Sequence, residues 1–322
     1  MSIEYTESQL RLYEKLCRDL GNTILQSLEV TDINEIMVNP DGKMWIDSSK
    51  EGLVQAGELL PQQVYSIIYG VAGIRDFVVS QHHPRLEADL PCYKAMKNER
   101  FTAQIPPIVS GPSFTIRKRS ESIFKMEDYI QTGRMSKRQA DVLRDLIKER
   151  KNILVCGGPG SGKTTVTNAL IIEAINYDKT QRFLILEDLP ELQCKALNVV
   201  AMLTTNDVSM TALLRSAMRM RPDRILIGEV RGKEALDMLK AWNTGCPGGI
   251  CTVHANGAEE AIQRILDLSM ESGLIAPPLQ LLSQTIDAVV SVTRQGNQKG
   301  FIHEILSLKR YQNGKFDFEK LD

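Results

Sequence analysis

The spacing of apolar and polar positions predicts two differently built regions. Over residues 1 to about 30, apolar side chains recur at the interval of an amphipathic helix. Two short strand patterns follow, EIMVN and KMWID, separated by the turn sequence Asn39-Pro40-Asp41-Gly42, in which proline fixes φ and glycine tolerates a positive φ. A helix over 61–76 and strands interrupted by proline and glycine complete a small α+β domain, predicted over residues 1–117.

The pattern changes after a charged and polar stretch. Residues 118–135 have few apolar anchors and are predicted to be a linker. From residue 136, helical segments alternate with short apolar strands, which is typical of a mostly parallel sheet covered on both faces. The second domain is therefore an α/β domain, predicted over residues 136–322. Its expected strands are NILVCG, RFLILED, NVVAML, RILIGEV and GICTVH.

Length and composition agree with a soluble two-domain protein. The chain has 322 residues, and its 39 Lys+Arg balance its 40 Asp+Glu, so no overall basic bias indicates nucleic acid. The N-terminus lacks the pattern of a signal peptide, and no apolar run reaches the ~18 residues of a membrane span, so any role at a membrane would be peripheral. Six scattered cysteines without a C-x-x-C pair predict free thiols in a reducing compartment: Cys17, Cys92, Cys156, Cys194, Cys246 and Cys251.

A glycine-rich loop lies between the predicted strand NILVCG and a predicted helix. It matches the phosphate-binding pattern G-x-x-x-x-G-K-[ST], in which glycines let backbone N–H groups approach a triphosphate closely. In this pattern the lysine reaches the β- and γ-phosphates and the hydroxyl holds Mg²⁺. The alternative is a glycine turn that binds nothing, which the strand–loop–helix context disfavours. The predicted ATP-binding residues are Gly157, Gly158, Pro159, Gly160, Ser161, Gly162, Lys163, Thr164 and Thr165.

Carboxylates follow two of the predicted strands. Glu229 comes just after RILI and could reach Mg²⁺, although Gly228 stands where many P-loop ATPases carry aspartate. Glu187, with Asp188 and Glu191, follows another strand and could orient the attacking water. We predict Glu187 as the water-activating carboxylate and Glu229 as the organiser of Mg²⁺ and water. Taken alone, Glu229 is more typical of an exposed strand end, but beside a phosphate loop the balance reverses.

One histidine and several arginines are further candidates. His254 ends the strand GGICTVH and could sense the γ-phosphate, although a lone histidine is more often structural. The segment LLRSAMRMRPDR contains Arg219 and Arg221, which could stabilise phosphoryl transfer or could form a basic face paired with carboxylates. In the first domain, Arg100 and Arg117 are placed at strand ends and are candidates for the same role.

Together these segments resemble the ATPases that drive type II secretion, type IV pili and type IV secretion or conjugation. Four motifs match that family: the Walker A box GGPGSGKTT, the Asp box ILEDLPEL, the Walker B box RPDRILIGEVRG and the His box GGICTVHAN. The family has Gly-Glu in its Walker B box, which accounts for Gly228. The compact chain without a four-cysteine module is most similar to the type IV secretion branch.

The resemblance implies properties that the residues alone do not. It implies a PAS-like first domain, a RecA-like second domain, and a homohexamer that binds ATP and Mg²⁺ between the domains. It places the ring in the bacterial cytoplasm, peripheral on the inner membrane, with other secretion or conjugation proteins as partners and no direct nucleic-acid readout. It also implies that Arg117, in the matched segment SFTIRK, contacts the phosphates, as does Arg100, and that Arg219 or Arg221 reaches a neighbouring subunit's site.

Two other functions share some of these features. A RecA-like DNA translocase or helicase would have the same core, but the balanced charge and the lack of an aromatic and basic stacking platform disfavour it. A nucleotide-gated scaffold that hardly turns ATP over would need no catalytic set, and the presence of Lys163, Glu187, Glu229 and His254 disfavours that alternative.

Overall fold

The computed structural model describes residues 5–48, 50–118, 124–205, 207–296, 298–312 and 315–322. The chain divides into two compact units, residues 1–122 and 123–322.

The first unit is an antiparallel sheet with two long helices. Its six-stranded sheet has the order β3-β2-β1-β8-β7-β4, and β5 and β6 form a separate small ribbon. The expected turn is present, since Gly42 has φ 84° between β1 and β2. The elements in chain order are α1 (Glu7–Glu29), β1 (Ile33–Val38), β2 (Lys43–Ser48), β3 (Gly52–Glu58), α2 (Pro61–Ile74), β4 (Arg85–Asp89), β5 (Cys92–Tyr93), β6 (Met96–Lys97), β7 (Arg100–Gln104) and β8 (Ser113–Arg117).

Helix α1 forms where the sequence pattern predicts it. Its first turn is closed by a capping box, in which Thr6 N donates to Gln9 Oε1 at 2.9 Å and Gln9 N donates to Thr6 Oγ1 at 3.3 Å. The helix is interrupted at Gly21, whose φ is 75°. Its apolar face packs with α2 and the sheet to form the core of the first unit. Side chains four residues apart supply that face: Leu16, Leu20, Ile24 and Leu28.

The second unit is an α/β domain built on an eight-stranded sheet. The sheet order is β11-β10-β12-β13-β9-β14-β15-β16. The elements are α3 (Met126–Gln131), α4 (Lys137–Lys148), β9 (Ile153–Gly157), α5 (Lys163–Tyr177), β10 (Arg182–Glu187), β11 (Asn198–Leu203), α6 (Met210–Ala217), β12 (Arg224–Ile227), α7 (Glu234–Asn243), β13 (Ile250–His254), α8 (Ala258–Met270), α9 (Leu279–Thr285), β14 (Ala288–Gln295), β15 (Gln298–Gln312) and β16 (Lys315–Lys320).

All five strands expected in this unit are present, as β9 to β13. These five and β14 run parallel, whereas β15 and β16 extend the sheet antiparallel. Strands β14, β15 and β16 were not predicted. Strand β9 is apolar from end to end because both its faces are covered. Since the six strands run the same way, their carboxyl ends lie along one edge of the sheet, which we call the carboxyl edge. The start of the predicted phosphate loop, at position 157, and the predicted catalytic positions 187, 229 and 254 all fall there.

The expectation of a linker over residues 118–135 is wrong for residues 124–135. This stretch contains α3 and belongs to the second unit. Met126, Tyr129 and Met135 are at most 2% exposed and pack in the core beside β9 and α5. The error arises because a few well-placed apolar side chains suffice to bury a short helix in an otherwise charged segment. Residues 119–123 lie outside the described residues.

Two other expectations concern the whole chain. All six cysteines are free thiols, as predicted. Among the described helices, none combines the length and the apolar character that crossing a membrane requires.

Candidate functional site

The phosphate loop joins β9 to α5 at the carboxyl edge. Gly160 and Gly162 adopt φ values of 66° and 97°, a left-handed conformation that favours glycine. At Gly157 a Cβ would lie 2.3 Å from the carbonyl oxygen of Val292 on the neighbouring strand β14. The glycines are therefore required by the backbone path. The loop leads directly into the N-terminus of α5, where backbone N–H groups and the helix dipole favour a phosphate group.

Lys163 projects back into the loop. Its side chain is buried, and its Nζ donates to the carbonyl oxygens of Gly157 at 2.9 Å and Gly158 at 3.0 Å. The same Nζ lies 3.3 Å from His254 Nδ1. The structure thus brings together the Walker A lysine and the His-box histidine.

A chain of contacts continues from His254 to the Walker B carboxylate. His254 Nε2 lies 2.8 Å from Glu229 Oε1. The other oxygen, Glu229 Oε2, accepts from Arg231 Nε at 2.8 Å and from Arg231 Nη2 at 2.5 Å. Burial alone would lower the pKa of Arg231, but the hydrogen bond and charge of Glu229 raise it above its ordinary value. Arg231 was not among the predicted site residues, although its place two residues after Glu229 in an irregular segment was a signal for this pair.

Glu187 is almost completely buried beside the Walker B strand. Its side chain is 2% exposed, and its Oε1 accepts from the backbone N–H groups of Glu191 and Leu192, both at 2.8 Å. A Cβ on Gly228 would lie 3.0 Å from Glu187 Cγ. The packing therefore explains why glycine stands at position 228, since an aspartate there would push Glu187 aside. Glu187 shapes the Asp-box loop in addition to any chemical role.

The Asp-box loop lies along α5. Thr164 Oγ1 donates to Glu191 Oε2 at 3.2 Å, and one helical turn later Asn168 Nδ2 donates to the carbonyl oxygen of Glu191 at 3.3 Å. Asn168 Oδ1 accepts from Gln193 N at 2.8 Å. Asn168 was not among the predicted site residues, although its i, i+4 spacing from Thr164 places both residues on one helix face.

Thr164 and Glu191 offer oxygen atoms of the kind that Mg²⁺ prefers. Mg²⁺ typically takes one or two protein oxygens together with substrate phosphates and water. The contact between the Thr164 hydroxyl and the Glu191 carboxylate at the first turn of α5 fits this chemistry. In the described part of the chain, three or more His, Cys, Asp or Glu side chains do not form a cluster that could hold a metal by themselves.

The arginines of the second unit fall into two groups. Arg219 and Arg221 are exposed and precede the amino end of β12, whereas the phosphate loop follows the carboxyl end of the parallel strand β9. Strand β12 spans roughly 13 Å at about 3.3 Å per residue. The two arginines therefore lie across the sheet from their own phosphate loop, at the amino ends of the parallel strands. Arg224, by contrast, is fully buried and structural.

In the first unit, Arg100 and Arg117 are directly opposite each other on β7 and β8. Like charges in such positions repel, and each arginine has a carboxylate on its other side. Arg117 Nε lies 3.7 Å from Glu35 Oε1, and Arg100 Nη2 lies 3.5 Å from Glu87 Oε2. The structure thus places the two predicted phosphate-contacting arginines together on adjacent strands.

Comparison with known proteins identifies the family of the chain. Residues 85–313 match the model of the family described as "Type II/IV secretion system protein". The chain is 38% identical over 317 residues to the probable conjugal transfer protein TrbB of Sinorhizobium fredii, covering 98% of this chain and 96% of that protein. It is also 38% identical to the conjugal transfer protein TrbB of Rhizobium radiobacter (97% and 95% covered), and 33% identical to the type IV secretion system protein PtlH of Bordetella pertussis (83% and 87%).

Solved structures agree on the fold. The pilus retraction motor PilT with bound ADP aligns with a TM-score of 0.61 at 21% identity, over 93% of this chain and 82% of that chain. The ATPase DotB of Legionella pneumophila aligns with a TM-score of 0.58 at 16% identity, over 92% and 78%. These likenesses support the RecA-like architecture of the second unit. From the family match and the near full-length relatives, the chain belongs to the type II/IV secretion-system family of ATPases, in its type IV secretion branch.

Proposed function

We propose that the chain hydrolyses ATP to ADP and phosphate and uses the energy to drive a type IV secretion or conjugative transfer apparatus. The observation that carries the proposal is the contact chain Lys163–His254–Glu229 at the phosphate loop. It joins the residue that binds the phosphates to the carboxylate at the end of the Walker B strand. The two relatives named conjugal transfer protein TrbB support the choice of apparatus.

The residues of the site divide the work of phosphoryl transfer. The backbone of the phosphate loop and Lys163 bind the triphosphate, and Lys163 neutralises charge on its terminal groups. Thr164 and Glu191 would hold Mg²⁺, which neutralises further charge on the phosphates. His254, in contact with Lys163 and Glu229, would transmit a change at the γ-phosphate to the Walker B carboxylate.

We propose that Glu187 activates the attacking water and that Glu229 organises Mg²⁺ and water. Glu187→Gln keeps a carbonyl oxygen that can accept from Glu191 N and Leu192 N, so this variant tests the charge without removing the loop contact. The proposal expects it to bind ATP normally and to turn over about a hundredfold more slowly. Normal turnover by Glu187→Gln, with turnover lost in Glu229→Gln, would assign the base to Glu229 instead.

We propose further that six copies form a ring and that nucleotide binds between the domains. Arg100 and Arg117 would supply cationic groups from the first domain, and Arg219 or Arg221 would reach the site of a neighbouring subunit. The position of Arg219 and Arg221 across the sheet from their own phosphate loop supports action in trans. We place the ring at the cytoplasmic face of the bacterial inner membrane, in peripheral contact with other secretion proteins.

The test is ATP hydrolysis by sizing-column fractions of the purified protein and of Lys163→Ala. The proposal expects hydrolysis in the large-assembly fractions, its loss in the variant, and no response to single-stranded DNA. Hydrolysis that requires single-stranded DNA and weakens steeply with salt would instead favour a DNA translocase. Turnover near zero in assembled rings would favour a scaffold.

A further inference from the structure

The phosphate loop is supported from outside by the hairpin of β14 and β15. Gly300 N, near the start of β15, donates to the carbonyl oxygen of Ser161 at 2.7 Å. A Cβ on Gly162 would lie 2.9 Å from Gly300 N. The backbone of the phosphate loop therefore contacts the backbone of the hairpin directly, with no side chain between them. A displacement of one is passed to the other.

A buried aromatic ring lies on the other side of Gly300. Tyr129 of α3 is 2% exposed. A Cβ on Gly300 would come within 2.9 Å of Tyr129 Cε1, and Gly300 has φ 85°. The Gly300 backbone thus lies between the Tyr129 ring and the backbone of the phosphate loop, and we call these three groups the stack.

The chain that follows Tyr129 is tied to the same hairpin. Arg134 N donates to the carbonyl oxygen of Tyr129 at 2.9 Å, and Ile302 N donates to the carbonyl oxygen of Arg134 at 2.9 Å. Helix α3 thus contacts β15 at Gly300 through Tyr129, and the chain just after the helix is hydrogen-bonded to β15 at Ile302, so movement of α3 is passed to Gly300. Along the chain, α3 is the first described element after residues 119–123, which connect the two units.

We propose that Tyr129 and Gly300 are positioning residues that set the shape of the phosphate loop, so that a displacement of α3 changes the affinity for ATP. By linkage, ATP binding must alter the stability of α3 to the same extent. Helix α3 is thereby coupled to the nucleotide. The proposal rests on ATP binding at the loop and not on the ring, the partners or the cargo.

The first test compares two glycines of the same hairpin in a titration with a fluorescent ATP analogue. Gly300→Ala introduces a methyl group against Tyr129, whereas Gly296→Ala is a matched control with φ 57° and no atom within 4 Å of the added Cβ. Both variants carry the strain of a left-handed alanine, but only the first perturbs the stack. We expect Gly300→Ala to weaken binding about tenfold and Gly296→Ala less than about twofold. Equal effects of the two variants would overturn the proposal.

The second test is a double-mutant cycle with Tyr129→Ala. If the methyl group at position 300 acts through the tyrosine ring, its effect on affinity shrinks when the ring is absent. Tyr129→Phe retains the ring and should bind ATP like the unmodified protein. Because the residues act through the loop, the Michaelis constant for ATP should rise more than the turnover at saturation falls. Additive effects of Gly300→Ala and Tyr129→Ala on the affinity for ATP would contradict the stack.

A third measurement uses the unmodified chain and so does not depend on any variant folding. Hydrogen exchange is followed in peptides covering residues 124–135, with and without a slowly hydrolysed ATP analogue. The proposal expects slower exchange of α3 amides when the analogue is bound, although α3 is not one of the predicted ATP-binding segments. Unchanged exchange at saturating analogue would refute the coupling, and failure of the analogue to bind would refute the proposed function itself.

Discussion

At the scale of single residues, Arg224 shows how a buried cation can be purely structural. Its guanidinium group donates to Gln181 Oε1 at 2.6 Å, to the carbonyl oxygen of Gly248 at 3.0 Å and to that of Ile147 at 2.8 Å. Burial lowers the pKa of Arg224 to about 10, so it stays protonated at neutral pH. The buried charge is thus stabilised by hydrogen bonds to neutral acceptors on three separate segments.

We expect Arg224→Met to lower the free energy of unfolding of the second unit by about 3 kcal/mol, because three buried acceptors lose a charged donor. The measurement is urea denaturation. Arg219→Ala is the control, since Arg219 is exposed and its substitution should change stability by less than about 0.5 kcal/mol. Equal stability of both variants would show that Arg224 is dispensable.

Glu99 gives a prediction of pH dependence in the first unit. The residue is 3% exposed, and burial raises the pKa of its carboxyl group although Lys97 N donates to it at 2.7 Å. The folded state therefore keeps this proton to higher pH than the unfolded state. Its contribution to stability is full below the ordinary pKa of glutamate and is lost as pH rises through the folded-state value.

Glu99→Gln should remove that pH dependence while keeping an acceptor for Lys97 N. We expect the unfolding free energy of the unmodified protein to decline, relative to that of the variant, as pH rises from about 4.5. Chemical denaturation at a series of pH values measures the difference. Parallel curves for the two proteins would mean that Glu99 titrates alike in both states.

At the scale of elements, the sequence predicted the strands and helices that have a local apolar pattern. It missed those elements whose formation depends on partners distant along the chain. The strands β9 to β13 were predictable because each is a short apolar run in a region where such runs alternate with helical segments or loops. The strands β14, β15 and β16 were missed, although β15 alternates between buried and more exposed side chains, because their place in the sheet is set by pairing with the distant strand β9 and with one another. The helix α3 was taken for a linker because only its buried contacts reveal that it is part of the core.

The residues of the candidate site also divide into those predictable from the local sequence and those that depend on distant contacts. The phosphate loop was predictable from its own residues, since φ angles and close backbone contacts demand glycine locally. The pairing of Glu229 with Arg231, and the burial of Glu187 against Gly228, depend on how the ends of neighbouring strands meet. Spacing along the chain does not contain that information.

The wall formed by β14 behind the phosphate loop leads to a further prediction. Gly157→Ala puts a Cβ 2.3 Å from the Val292 carbonyl oxygen, which is held in a strand and cannot move away. We expect ATP affinity to fall by about a hundredfold or more, since the loop must be displaced. Gly158→Ala meets no atom within 4 Å and should lose much less. Titration with a fluorescent ATP analogue compares them, and similar losses would show that the β14 wall is not decisive.

At the scale of the whole molecule, the separation of Arg219 and Arg221 from their own phosphate loop is decisive for the proposed ring. If they act on a neighbour, a subunit with an arginine substitution still has a competent phosphate loop, and Lys163→Ala still has competent arginines. We expect a mixture of Arg221→Ala and Lys163→Ala proteins to recover ATP hydrolysis that neither has alone. Activity of the unmodified protein per subunit should also rise with concentration.

The mixing experiment has a clear contrary outcome. An unreactive mixture, with subunit exchange verified by differently tagged copies, would exclude Arg221 from action in trans. The same mixture made with Arg219→Ala assigns the role between the two arginines.

The contact between Lys163 and His254 also fixes a tautomer. An ammonium group can only donate hydrogen bonds, so His254 Nδ1, 3.3 Å from it, must present its lone pair. The single proton of the neutral imidazole then resides on Nε2, which faces Glu229 Oε1 at 2.8 Å. A second proton would place an N–H against the ammonium group. The contact with Lys163 is therefore compatible with the neutral imidazole in this tautomer and not with the doubly protonated ring.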